Sequence, residues 1–175
     1  MADPGPSPTF SSLEVDVVRH AEIWDRIAAS DEALARAARA AFTAASHAQQ
    51  EPCEATIVLT DDAEMRALNR AWRGKDSSTN VLSFPAGHSP GAIAGEARPL
   101  GEVVLAAETV LAEAADRGIP AADHAAHLVV HGTLHLLGFD HERDEDAEAM
   151  EALETKVLSA LGIADPYAAE AEVSP

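Results

Sequence analysis

His131-Gly132-Thr133-Leu134-His135-Leu136-Leu137-Gly138-Phe139-Asp140-His141 sets three histidines four and six positions apart, the first two inside an apolar run and the third just past a glycine. On a helix, His131 and His135 stand one turn apart, with Cβ atoms about 5–6 Å from each other, so both rings can reach one ion. Gly138 is the natural residue to end that helix, because a left-handed turn costs glycine nothing and lets the chain double back. His141 then follows as a third ligand. Three protein ligands and a water is the usual catalytic zinc arrangement, whereas structural sites close with four ligands rich in cysteine. The pattern therefore predicts an open metal site at the C-terminal end of a long helix. Asp140 competes for the third position, or accepts a hydrogen bond that orients a ligand ring.

The spacing His-x3-His-x2-Gly-x2-His is also the skeleton of metzincin-type zinc peptidases, in which a glutamate after the first histidine acts as general base. Here that position is Gly132, and Met150 falls in an acidic helical segment rather than in a Met-turn. Ordinary peptidase chemistry is disfavoured, while a metal-activated water remains available.

Working outward, 175 residues suffice for one domain with a buried core. Apolar residues make up 47%, but only 4% are aromatic, which points to a helix-rich core of small side chains. The net charge of −18 argues against passive adhesion to nucleic acid or anionic membrane, so a polyanionic substrate requires locally concentrated positive charge. Cys53 is the one cysteine, which leaves no intramolecular disulfide or thiolate cluster, and it reads as a small apolar residue. There is no 18-residue apolar run, and Met1-Ala2-Asp3-Pro4 lacks a basic, hydrophobic leader; a cytoplasmic location is expected.

Residues 1–12 read as a disordered Pro/Ser/Gly-rich tail, 13–163 as a single domain, and 164–175 as a frayed C-terminal tail. Strands are expected over Leu13–Arg19, Ala55–Leu59, Asn80–Phe84 and Leu100–Leu105, separated in the last case by a Gly/Pro-rich loop. Ser30 should cap a helix to about His47, and Asp61 with Glu64 should start another to Trp72, with Met65, Leu68 and Trp72 inward. Further helices are expected from Ala107 to Arg117, through the histidine run from Ala121, and from a cap at Asp144 to about Leu161 with its carboxylates outward. His127, one turn before His131, is a candidate to support a metal ligand or face the substrate, whereas His124 is expected at solvent. The result is an α+β fold, a small mixed four-stranded sheet covered by about five helices.

Arg66, Arg70, Arg73 and Lys75 put four of the twelve basic residues within ten positions. Arg66 and Arg70 fit a solvated face paired with carboxylates. Arg73 and Lys75 instead open the polar loop 73–80, which can meet phosphate. These four cations make a local basic patch on an acidic molecule, with Arg70 and Lys75 as substrate-binding candidates beside Arg73.

Three blocks, Leu68–Asp76 running into Thr79–Pro85, Leu100–Val104, and His127 with His131–His141, resemble the YbeY family in the same order along the chain. The resemblance implies a bacterial, zinc-dependent endoribonuclease acting on single-stranded RNA, in small-subunit rRNA 3′-end maturation and ribosome quality control. Its partners would be rRNA and the small ribosomal subunit or associated proteins, with neither membrane nor DNA. It implies that His131, His135 and His141 hold one zinc ion and that Arg73 is the functional arginine. Many members carry aspartate at the position of Asn80, so no base role is assigned to Asn80. The alternatives are a metal-dependent hydrolase of another substrate and a ribosome-associated binding factor with a structural metal.

Overall fold

The computed structural model describes residues 12–45, 51–87 and 96–168. The proline-rich tail, the expected helix end at His47 and most of the Gly/Pro-rich loop lie outside the described residues. Strands β1 (Leu13–Arg19), β2 (Cys53–Thr60), β3 (Val81–Pro85) and β4 (Arg98–Ala106) form one sheet in the order β1-β2-β4-β3. β1, β2 and β4 run parallel, and β3 pairs antiparallel with β4 as an edge strand. The helices are α1 (Asp31–Ala45), α2 (Asp62–Arg73), α3 (Ala107–Arg117), α4 (Ala121–Leu136) and α5 (Asp144–Ala160), and a 3₁₀ turn at Glu22–Arg26 follows β1.

Alternation along the strands decides which helix goes where. Ile57, Leu59, Val103 and Leu105 point to one face and join the main core with α1, α4 and α5. Val58, Leu82 and Val104 point to the other face and meet Met65 of α2 in a smaller cluster. Burying apolar area stabilises both faces at roughly 25 cal/mol per Å², but the main core has four helices to contribute it, α3 adding Ala107 and Val110.

Local chemistry starts the helices where the sequence indicates. Ser30 Oγ accepts from Ala33 N–H at 3.1 Å, and Asp61 accepts from Glu64 N–H at 2.9 Å. α5 differs: Arg143 stands at the cap without a side-chain bond, and Asp144 is the first helical residue. Cys53 is buried at the start of β2, as a small apolar residue would be.

Gly132 has a packing reason. A Cβ built there would lie 2.6 Å from Val103 Cγ1, so α4 rests on the sheet at a distance that only glycine permits. Ser83 Oγ of β3 donates to the Gly132 carbonyl at 3.1 Å, fixing that contact. The glutamate of a zinc peptidase has no room at this position.

Three expectations are corrected. Trp72 is 72% exposed rather than inward, since α2 covers only part of its sheet face and Trp72 meets Phe84 edge-on at 5.8 Å. The inward position at that turn belongs to Asn69, whose Nδ2 donates to the Ser77 carbonyl at 2.8 Å. His124 is buried, at 3% exposure, because α3 packs over it. Not all carboxylates of α5 face outward: Glu154 is fully buried between α5 and α4. Beyond α5, Arg117 donates to the Pro166 carbonyl at 2.6 Å.

Candidate metal centre

α4 ends in a glycine turn that aims the third histidine back at the first two. Gly138 takes φ 95°, its N–H bonds the His135 carbonyl at 3.0 Å, and Phe139 N–H bonds the Leu134 carbonyl at 3.1 Å. Asp140 is spent on the turn itself, accepting from His141 N–H at 2.7 Å. His141 follows, exposed, over the half-buried His131 and His135.

The three imidazoles converge. One ligand nitrogen from each of His131, His135 and His141 falls within 4.8 Å of the other two. His131 Nε2 and His135 Nε2 stand 3.0 Å apart. Ligand nitrogens about 2.0–2.1 Å from a tetrahedral ion lie about 3.3 Å from each other, so the set fits a single ion after a small opening. Among the described residues no fourth protein side chain joins this group.

Hydrogen bonding selects the nitrogen that His131 offers. Its Nδ1 bonds Glu154 Oε1, leaving the Nε2 lone pair free toward His135. His127 Nε2 donates to the other Glu154 oxygen at 3.2 Å, and the Tyr167 hydroxyl bonds that same oxygen. His124 Nε2 donates to Glu113 at 2.7 Å. The Nδ1 atoms of His124 and His127 are buried without a hydrogen-bond partner, so each ring is held through Nε2 alone.

The titration shifts agree with neutral rings and an ionised acid. Burial lowers the pKa of His124 despite its bond to Glu113. Burial, with His131 and His141 alongside, lowers that of His135. For Glu154 burial pushes upward, but hydrogen bonds from His127, His131 and Tyr167 outweigh it and hold the carboxyl at about 2.

A cavity of about 550 Å³ opens beside His131, walled by His127, His124, Asn80, Glu113, Arg117 and Tyr167. Asn80 Nδ2 donates to both Glu113 oxygens, at 3.0 and 3.3 Å, so its amide does what an aspartate there could not. The cations of α2 do not line this cavity. Arg66 is engaged by Asp76 at 2.8 Å, as expected of a solvated pair, and Arg70, Arg73 and Lys75 are exposed. The link between the two regions is the loop 74–80, which leaves Arg73 through Gly74 at φ 68° and ends at Asn80 in the cavity wall.

Glu154, Glu113 and Tyr167 were not singled out in the sequence. For Glu154 a signal exists: it lies four residues after Met150 and three and four before Val157 and Leu158, on the apolar stripe of α5.

Comparison with known proteins adds a family. The family model described as Endoribonuclease YbeY matches residues 21–162. A protein named Endoribonuclease YbeY from Azorhizobium caulinodans is 50% identical over 160 residues, covering 91% of this chain and 99% of its own. One of the same name from Parvibaculum lavamentivorans is 51% identical over 168 residues, covering 93% and 89%. Among solved structures, the solution structure of TM1509 from Thermotoga maritima matches with a TM-score of 0.48 and 20% identity, covering 84% of this chain and 91% of that one.

Proposed function

This chain belongs to the YbeY family, and from that membership we propose that it is a metal-dependent endoribonuclease cutting single-stranded RNA at the centre formed by His131, His135 and His141. The observation that carries the reading is the convergence of three imidazole nitrogens within 4.8 Å, one of them on His131, which also lines the cavity. Three nitrogen ligands suit one zinc ion. When bound, such an ion supplies Lewis acidity, lowering the pKa of a coordinated water and countering charge on phosphoryl oxygens.

The chain's own residues do the rest. The bond to Glu154 keeps His131 Nε2 available, and α4 holds His135 one turn away. The RNA strand enters the cavity beside His131 and leaves along the loop 74–80 toward Arg73, whose planar guanidinium binds a phosphate bidentately. Arg70 and Lys75 contact neighbouring phosphates, giving a basic path on an otherwise acidic molecule. Within the cell we place this activity in the cytoplasm, in maturation of the small-subunit rRNA 3′ end and in ribosome quality control, with the small subunit or its proteins as partners. The family resemblance supports these assignments. Among the described residues no helix is long and apolar enough to cross a membrane.

The test is cleavage of an end-labelled single-stranded RNA by zinc-replete protein, beside His131→Ala and a chelated sample. Cleavage lost in both controls is expected, and the product ends identify water or the RNA 2′-hydroxyl as nucleophile. Intact RNA with folded, zinc-loaded protein that still binds ribosomal subunits would replace the nuclease with a binding factor holding a structural metal.

A further inference from the structure

We propose that Glu154 is the positioning residue of the metal centre, a single buried carboxylate that orients His131 toward the ion and ties the Tyr167 wall of the cavity to it. The proposal rests on the three-histidine centre above. Glu154 has no exposed surface, and every partner recorded for it belongs to the site: His131 through Nδ1, His127 through Nε2 at 3.2 Å, and the Tyr167 hydroxyl. Among the described residues no lysine or arginine pairs with it.

Packing alone gives no reason for an acid at this place. Met150, Val157 and Leu158, on the same face of α5, fill the core with apolar side chains. A carboxylate in such surroundings is costly unless its oxygens are fully hydrogen-bonded. Here one oxygen takes the His131 ring and the other takes His127 and Tyr167, so each oxygen has a task.

The two oxygens act on different parts of the site. The first holds His131 by Nδ1, which leaves Nε2 as the only ring nitrogen that can meet an ion and fixes its direction toward His135 Nε2, 3.0 Å away. A ligand imidazole steadied by a carboxylate through its far nitrogen is more basic and pays less rotational entropy on binding, and loss of such a partner typically weakens metal affinity about 10–100-fold. The second oxygen holds His127 and Tyr167, which both line the cavity with His131. Tyr167 lies in the return that the Arg117–Pro166 bond also pins. The wall and the metal ligand thus share one anchor.

The experiment measures the zinc dissociation constant of the full chain by competition with a chromophoric chelator, and the visible spectrum after Co²⁺ substitution. Wild type, Glu154→Gln, Glu154→Asp and Tyr167→Phe are compared, with circular dichroism reporting folding. We expect Glu154→Gln to stay folded, to bind zinc about 10–100-fold more weakly and to shift the Co²⁺ bands. Tyr167→Phe should leave zinc affinity within about 3-fold, because it removes a donor from the oxygen that does not hold His131. Glu154→Asp, whose carboxylate falls one methylene short, should weaken zinc as well and serves if the glutamine variant does not fold. A folded Glu154→Gln with the wild-type zinc affinity and Co²⁺ spectrum overturns the proposal and leaves the metal centre standing. Unfolding of both Glu154 variants in saturating zinc assigns the residue to folding and also overturns it. A wild type that binds no equivalent of zinc overturns the metal-centre reading itself.

Discussion

α4 and α2 both end in a glycine turn with functional candidates around it, yet the sheet treats them differently. Around α4 the half-buried His127, His131 and Tyr167 converge on the buried Glu154, with His141 exposed beside them. At the end of α2, Arg70, Arg73 and Lys75 stand in solvent. The first group is positioned by folding, because three helices pack around it. The second carries charge on long, exposed side chains over a sheet face that one short helix covers. Lining a cavity thus belongs to α4, and meeting a substrate strand is the role proposed for α2, which substitutions at its end test.

The sharpest way to break this contrast is Arg73→Ala. If Arg73 stabilises charge on the reacting phosphate, kcat/KM should fall about 10²–10³-fold, with most of the loss in kcat. A loss confined to KM would place Arg73 on a phosphate away from the reaction, and unchanged cleavage would remove it from the site. Arg70→Ala and Lys75→Ala should cost less and should flatten the dependence of RNA affinity on salt, each by about one contacted phosphate. Steady-state kinetics on a fluorescent oligonucleotide at two salt concentrations separates these outcomes.

Gly132→Ala probes the other side, where α4 touches the sheet. The added methyl would overlap Val103, and overpacking of this kind costs about 1–3 kcal/mol, against roughly 1 kcal/mol gained from helix propensity. A net loss of up to about 2 kcal/mol in urea unfolding is expected. Stabilisation instead would show that the helix can rise off β4 at no cost.

Acid should weaken the α4 side before it touches α2. Burial keeps His124 below its ordinary pKa of 6.5, so the unfolded chain binds the proton more readily and stability falls as pH drops below that value. His135 shares the sign. Glu154, held at about 2 against an ordinary 4.5, contributes stability above 4.5 that is lost as pH falls toward 2. Urea unfolding of chelated protein at pH 7.5, 6.0 and 5.0 should show a decline, and His124→Gln should decline less. An equal decline in both would assign the effect elsewhere.

The legible parts of this structure are those with a local cause. Alternation marked β1, the caps Ser30 and Asp61 marked two helix starts, and Gly118 and Gly138 marked two ends, each from neighbours within a few positions. The spacing of His131, His135 and His141 was legible for the same reason, since a helix and one turn bring them together. Glu154, Glu113 and Tyr167 were not, because their partners lie between 11 and 40 positions away, and among six acids of α5 only the stripe beside Met150 and Val157 distinguishes one. His124 was misplaced because its burial depends on α3 packing over it.

Trp72 gives the smallest expected effect and the most direct test of how much of its sheet face α2 covers. Periodicity sets it inward with Met65, and an inward tryptophan cut to alanine typically costs about 3–5 kcal/mol. The structure leaves it 72% exposed, with one edge-on contact to Phe84. An aromatic pair of that kind contributes about 0.5–1.5 kcal/mol, and alanine regains part of this through its better helix propensity. Trp72→Ala should therefore change stability in urea by less than about 1 kcal/mol. A loss near 3 kcal/mol would mean that Trp72 packs against the sheet in solution, that α2 covers more of its face than Met65 and Leu68 account for, and that the end of α2 is positioned by folding as firmly as the end of α4.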